Sequence, residues 1–161
     1  MRRLFLLRHA KSAWDDPALD DFDRPLNERG RNAAAAMAAF FNREGYRPDV
    51  VLCSPARRTR ETLAAFSGLP QPAFPPALYH ASAETIIRLV EDGLASGSVL
   101  VVGHNPGMHN AVLRLLPNDA PERPRLRAKF PTGALAVFDA SAGLKPGGTP
   151  LHLFQSPKTL L

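Results

Sequence analysis

Arg3-Leu4-Phe5-Leu6-Leu7-Arg8-His9-Ala10 opens as a short apolar run and closes on an Arg-His pair. With no polar alternation, Arg3 to Leu7 reads as a strand buried on both faces of a mainly parallel sheet. Two later runs have the same form. Val50-Val51-Leu52-Cys53 leads into Ser54-Pro55, and Ser98 to Val102 leads into Gly103-His104-Asn105. Helical segments separate them. Asn27 caps a predicted helix running to about Glu44, rich in alanine and ended by Gly45. Ser54 and Pro55 open a second, predicted from Pro55 to about Phe66. Ser82 caps a third, from Ala83 to about Leu94, and Pro106 starts a fourth whose apolar face holds Val112, Leu113, Leu115 and Leu116.

The rest is punctuated by proline and glycine. Asp16 to Pro25 reads as a loop, Gly68 to Pro76 as a proline-rich connector, and Pro117 to Pro131 as a surface excursion. Ala134 to Phe138 and Leu151 to Phe154 are two further strands, joined by a Gly-rich turn around Gly143 to Gly148, and the last residues form a loosely held tail. Strands alternating with helices give a three-layer α/β/α sandwich with a mainly parallel central sheet. In such folds ligands sit beyond the carboxyl ends of the strands. Arg8-His9, Ser54 to Arg58, and His104 all lie just past strand ends and can converge on one rim.

At 161 residues the chain suits a single domain, 1–161. Its 45% hydrophobic and 22% charged content is ordinary for a globular protein. No stretch approaches the roughly 20 apolar residues needed to cross a bilayer, and Leu4 to Leu7 is too short for a signal core, so the expected compartment is the cytoplasm, with no membrane partner. The single cysteine, Cys53, excludes an internal disulfide framework and a cysteine-based zinc site, and reads as buried packing. His109 and His152 form no zinc-ligand spacing and read as structural or exposed. The net charge of +5 is dispersed over Arg57, Arg58 and Arg60, and over Arg123, Arg125, Arg127 and Lys129, while Asp15, Asp16, Asp20, Asp21 and Asp23 make the early loop acidic. That is not the continuous basic face that tracks a nucleic-acid backbone, so no nucleic-acid partner is expected.

The strand-end residues suit a phosphoryl group. Arginine matches peripheral phosphoryl oxygens with a planar fork of donors, and Arg8 with one of Arg57 or Arg58 supplies the clamp. Neutral imidazole can attack phosphorus directly, which makes His9 the candidate nucleophile. His104 can stabilise charge accumulating on the transferring group.

Four motifs in order carry a resemblance to a known family. They are Leu7-Arg8-His9-Ala10; Arg24-Pro25-Leu26-Asn27-Glu28-Arg29-Gly30; Ser54-Pro55-Ala56-Arg57-Arg58-Thr59-Arg60-Glu61-Thr62; and Val102-Gly103-His104-Asn105-Pro106. Together, from residue 3 to about residue 139, they resemble the histidine phosphatase superfamily, which has the phosphoglycerate mutase-like fold, and within it the short SixA-type phosphohistidine phosphatases. Alanine at position 10 replaces the usual glycine, as in the SixA-type branch. The resemblance implies a phosphatase with a phosphohistidine enzyme intermediate on His9 and a phosphate bound by Arg8, Arg58 and His104. It also implies no metal or organic cofactor, because the arginines and His104 supply the charge that a magnesium ion would otherwise provide. Thr132-Gly133-Ala134 corresponds to a stretch that brings backbone amides near the phosphate in relatives.

The implied substrate is a phosphorylated protein of the histidine-phosphotransfer type or a small phosphorylated molecule. A general acid is the missing part. The family's Glu-x-x-Gly context is absent, which leaves Glu84 and His80 as candidates, although Glu84 also suits the first turn of its helix. Imidazole is a better leaving group than an alkoxide, so a site without a clear acid favours phosphohistidine in proteins. The alternatives are a phosphomonoesterase for a small metabolite and a phosphate-binding module without turnover.

Overall fold

The computed structural model describes residues 1–161. Five strands form one sheet: β1 (Arg3–Arg8), β2 (Val50–Cys53), β3 (Val99–Gly103), β4 (Leu135–Asp139) and β5 (Leu151–Gln155). Their spatial order is β2-β3-β1-β4-β5. The strands β2, β3 and β1 run parallel, whereas β4 and β5 are antiparallel additions on the far side of β1. The mainly parallel centre is therefore as predicted; β4 runs against β1, and the glycine-rich turn reverses the chain again so that β5 runs against β4.

Side chains along β1 alternate between two apolar layers, as the period of two in a strand requires. Leu4 and Leu6 face one core together with α3 (Ala83–Leu94), α4 (Gly107–Leu115) and Leu126 of α5 (Arg123–Ala128). Phe5 and Leu7 face the other, with Met37 and Phe41 of α1 (Glu28–Arg43) and Leu63 of α2 (Arg57–Ala64). Helices thus cover both faces, giving the α/β/α sandwich. No helix is long and apolar enough to cross a membrane.

The caps follow the sequence in two of three cases. Asn27 accepts a hydrogen bond from the Gly30 amide, and Ser82 from the Thr85 amide, satisfying free donors at the starts of α1 and α3. The second helix begins at Arg57 and ends at Ala64, shorter at both ends than the predicted Pro55 to Phe66. Ser54 is not its cap: the helix starts late enough to leave Ala56 in the cap position, and the Ser54 hydroxyl accepts from the Ala56 amide just before it while contacting a histidine described below. Two further expectations are corrected. The Pro117 to Pro131 segment contains α5 and sends Leu126 and Phe130 into the core, since an apolar pair within a charged stretch is enough to anchor one helical turn. The C-terminal residues are held down by a 3-10 turn, Pro157–Thr159, with Pro157 buried beside Gly133.

One glycine sets the path of the loop after β1. A Cβ placed on Gly30 would lie 2.0 Å from the Lys11 carbonyl oxygen, so α1 can approach this loop only without a side chain there. The same loop is tied to α1 by the Asn27 amide donating to Lys11 at 3.0 Å. Gly30→Ala is expected to cost about 2–4 kcal/mol through this backbone clash, a loss to be read as a lowered urea midpoint at unchanged slope.

Candidate active site

The three parallel strands end on one rim, and their register decides which residues meet there. Arg8 is paired with Gly103 across β1 and β3, and the His9 amide donates to the Gly103 carbonyl at 3.0 Å. His9 and His104 therefore leave adjacent strands at the same level, with ring centroids 5.3 Å apart. On the other side of β3, the Ser54 amide donates to Val102 at 3.0 Å, which brings the Ser54 hydroxyl to 2.7 Å from His104 Nε2. The first turn of α2 then delivers Arg58. His9, Arg58 and His104 are 7%, 5% and 6% exposed, so this polar group lies within the fold at its rim.

The surroundings hold the His9 loop from several directions. Its carbonyl accepts from the Gly133 amide at 2.9 Å, and the next amide, Ala10, donates to Thr62 Oγ1 at 2.9 Å. Thr62 donates in turn to the Arg58 carbonyl, linking α2 to the loop. Arg8 Nη1 and Asn105 Nδ2 both donate to the Phe130 carbonyl. The amides of Gly133 and Ala134, expected near a phosphate, are instead used within the protein: the first on His9 and the second on Pro131. They steady the loop that carries the histidine.

Hydrogen-bond chemistry distinguishes the nitrogens of His9. Nδ1 lies 2.7 Å from the Ala10 carbonyl, which can only accept, so Nδ1 carries the hydrogen and Nε2 keeps its unshared pair. Nε2 has no protein partner. Burial lowers the His9 pKa, the Ala10 bond opposes this, and the charges of Arg58, Arg8 and Arg24 lower it further, to about 4. His104 is lowered to about 3 by burial and then by His9, Arg58 and His80. Burial and the neighbouring Arg58 also lower Arg8. The cluster thus presents two neutral imidazoles among guanidiniums, an arrangement suited to accepting a multiply charged anion.

Residues outside the cluster separate as follows. Arg57 is solvent-facing and pairs with Glu61 at 2.8 Å, which leaves Arg58 as the inward member of that pair. His80 and Glu84 line a groove of about 640 Å³ that begins at His104 and continues to Asn110 and Arg114. The His80 ring packs at a tilt against Tyr79, with centroids 3.9 Å apart, and its centroid is 6.5 Å from that of His104. Glu84 is turned outward and paired with Arg114 at 2.7 Å. His109 is structural, its Nε2 donating to the Leu126 carbonyl, and His152 is exposed. Cys53 is buried, which pushes its thiol up to about 12.

Four participants were not singled out from the sequence. Ser54 and Thr62 stand at the two ends of the Ser-Pro-x-x-Arg-x-x-x-Thr motif, and Arg24 opens Arg-Pro-Leu; the motifs contained them, but Ser54 was read only as a helix cap and the other two were given no part. Asp21 belongs to no motif; only its place in an acidic loop preceding Arg24 could have drawn notice.

Comparisons with known proteins bear on the family and the fold. Residues 4–75 match the model of the histidine phosphatase superfamily (branch 1). An uncharacterized Mycobacterium tuberculosis protein is 36% identical over 160 residues, covering 94% of this chain and 100% of that protein. SixA of Agrobacterium tumefaciens, a proposed phosphohistidine phosphatase, superposes with a TM-score of 0.84 at 36% identity, covering 97% of this chain and 98% of that one. The corresponding protein of Nakamurella multipartitia gives a TM-score of 0.83 at 32% identity, covering 97% and 96%. The family match together with these SixA-like neighbours marks the chain as a phosphatase, a hydrolytic enzyme. The chain belongs to the histidine phosphatase superfamily.

Keeping His9 neutral has a measurable cost in stability. Its folded pKa lies below its unfolded value, so between pH 6.5 and about 4 the unfolded chain binds the extra proton and stability falls as pH falls. The full difference for His9, from 6.5 to about 4, corresponds to about 3 kcal/mol. His9→Ala is therefore expected to flatten the slope of unfolding free energy against pH across this window, as measured by urea denaturation at stepped pH.

Proposed function

We propose that the enzyme removes phosphoryl groups from phosphohistidine in proteins, through a covalent phosphohistidine on His9 and without a metal. The observation that carries this reading is the His9 ring: Nδ1 is committed to Ala10, and Nε2 is neutral, unpartnered and surrounded by positive charge. In the first step the Nε2 pair attacks phosphorus, the Nε2–P bond forms, and the bond from phosphorus to the substrate nitrogen breaks. That nitrogen takes a proton from solvent through the open groove. In the second step a water oxygen attacks phosphorus, the Nε2–P bond breaks, orthophosphate leaves carrying the hydrogens of that water, and His9 returns to its neutral form with its hydrogen on Nδ1.

Arg8, Arg58 and His104 hold the peripheral oxygens during both steps. Arg8 Nε is buried with no protein partner, as is His104 Nδ1, and an oxyanion supplies the acceptor that Arg8 Nε lacks. Ser54 Oγ already accepts from the Ala56 amide, so its own hydrogen is free for His104 Nε2. With Ser54 donating to Nε2, the ring hydrogen of His104 sits on Nδ1, the buried nitrogen without a protein partner. The parts named for this mechanism lie between Arg8 and His104, and we assign residues 1–161 to one catalytic domain.

Of the two candidate acids, His80 is better placed. It faces the groove beside His104, and it is held in the left-handed backbone region at φ 59°, a conformation that costs a non-glycine residue energy and is concentrated at working sites. Glu84 is exposed and occupied by Arg114. The open groove leaves room for an imidazole carried on another protein, and two relatives above 30% identity are themselves proposed phosphohistidine phosphatases.

Brief incubation with a labelled phosphodonor should leave acid-labile, base-stable phosphate on the wild-type protein and none on His9→Ala. Arg58→Ala should slow turnover by about 10²–10³-fold. Full activity in His9→Ala would overturn the mechanism, and a higher kcat/KM for sugar phosphates than for a phosphohistidine protein would favour a small-molecule phosphomonoesterase. His80→Ala should lower hydrolysis of alkyl phosphate esters by about 10²-fold while changing phosphoramidate hydrolysis by less than about tenfold, because imidazole and ammonia leave with little help from an acid.

A further inference from the structure

Asp21 lies outside every recognised motif yet has more partners in the site than any other carboxylate. It begins the 3-10 turn Asp21–Asp23 in the loop between β1 and α1. Its Oδ2 accepts from Arg58 Nη2 at 3.0 Å and from the Tyr79 hydroxyl at 2.6 Å, and its Oδ1 accepts from Arg24 Nη1 at 2.9 Å. Its backbone carbonyl accepts from Arg58 Nη1 at 2.7 Å. One residue therefore takes both terminal nitrogens of Arg58, while Arg58 Nε makes no hydrogen bond to the protein.

The partners of Asp21 are anchored in their turn. Arg24 donates from Nε to the Ala13 carbonyl at 2.9 Å and from Nη2 to the Ser12 hydroxyl, and its guanidinium lies 3.1 Å over the Trp14 ring. Tyr79 packs edge-on against Phe22, and its ring is 5.6 Å from that of His104. Burial alone would raise the Asp21 pKa, but hydrogen bonds from Tyr79, Arg58 and Arg24 outweigh it and hold the carboxyl well below the usual carboxylate range. Asp21 is thus a permanent anion that joins the loop after His9, the helix carrying Arg58 and the segment beside His104.

We propose that Asp21 is a positioning residue for phosphoryl binding: it fixes the head of the Arg58 fork so that the Nε side is presented, already oriented, to the oxygens of the incoming group. A free arginine must give up its rotamer freedom on binding, whereas one pinned at Nη1 and Nη2 has already lost it. The carboxylate also offsets repulsion among Arg8, Arg24 and Arg58, which would otherwise spread the guanidiniums apart before an anion arrives. The same contacts have a rival reading with the opposite sign. Were Asp21 a resident anion that the phosphoryl group must displace, removing its charge would tighten anion binding.

This inference rests on the reading that Arg58 holds the phosphoryl group, and the controls keep the two separate. Binding of inorganic orthophosphate would be measured by calorimetry for the wild type, Asp21→Ala, Asp21→Asn, Tyr79→Phe and Arg58→Ala. Asp21→Ala should weaken binding by about tenfold, and Asp21→Asn by less because the amide oxygen still accepts one hydrogen bond. Tyr79→Phe, which leaves both arginine contacts in place, should weaken it by about two- to threefold. In activity assays Asp21→Ala should lower kcat as well as raise KM, with the Asn variant recovering part of both; a merely structural role would give no such graded recovery. Unchanged or tighter orthophosphate binding in Asp21→Ala and Asp21→Asn, with Arg58→Ala defective, overturns the role of Asp21 alone. Wild-type binding by Arg58→Ala overturns the underlying reading of the site. Should Asp21→Ala fail to fold, Asp21→Asn and Tyr79→Phe decide the matter on the same scale.

Discussion

The parallel pairing of β1 with β3 is the constraint on which the rest of the structure depends. Because Arg8 stands opposite Gly103, the two chains leave the sheet together and set His9 beside His104. A slip of one residue in either strand would turn every side chain to the opposite layer, carrying Leu4 and Leu6 away from the core that α3 and α4 complete. The apolar packing of the sheet and the placement of the two imidazoles are thus one requirement. The hydrophobic layers specify the register, and the register aligns the site.

Burial then gives the site its chemistry. A histidine in water is partly protonated near neutrality, but here loss of solvation and surrounding guanidiniums keep both rings neutral. Cations gathered at a buried rim repel one another, and the fold offsets this with hydrogen bonds to the backbone carbonyls of Phe130 and Ala13 and with the Asp21 carboxylate. An oriented array of donors of this kind needs little rearrangement when charge moves during transfer.

Much of this was legible in the chain. The three parallel strands announce themselves as apolar runs without polar alternation, and the Asn27 and Ser82 caps mark two helix starts where local hydrogen bonding alone decides the outcome. The motifs also carried His9, Arg8, Arg58 and His104 to one rim, because a parallel sheet places every strand's carboxyl end on the same side. Local chemistry misled where one group had two possible uses. Ser54 before proline reads as a helix cap, but its hydroxyl is taken by His104, fifty residues away, and α2 starts later.

What the sequence by itself determined was the order of elements, the two-sided burial of β1 and the identity of the residues with chemistry to perform. These follow from periodicity, capping and motif spacing, which act over a few residues. Only the tertiary structure decided that Asp21 meets Arg58, Arg24 and Tyr79, that Leu126 and Phe130 anchor a charged segment, and that Pro157 packs beside Gly133. Each of these joins side chains from separate loops or terminal segments. No local pattern encodes such meetings, because they exist only after the sheet has brought those segments to the same end.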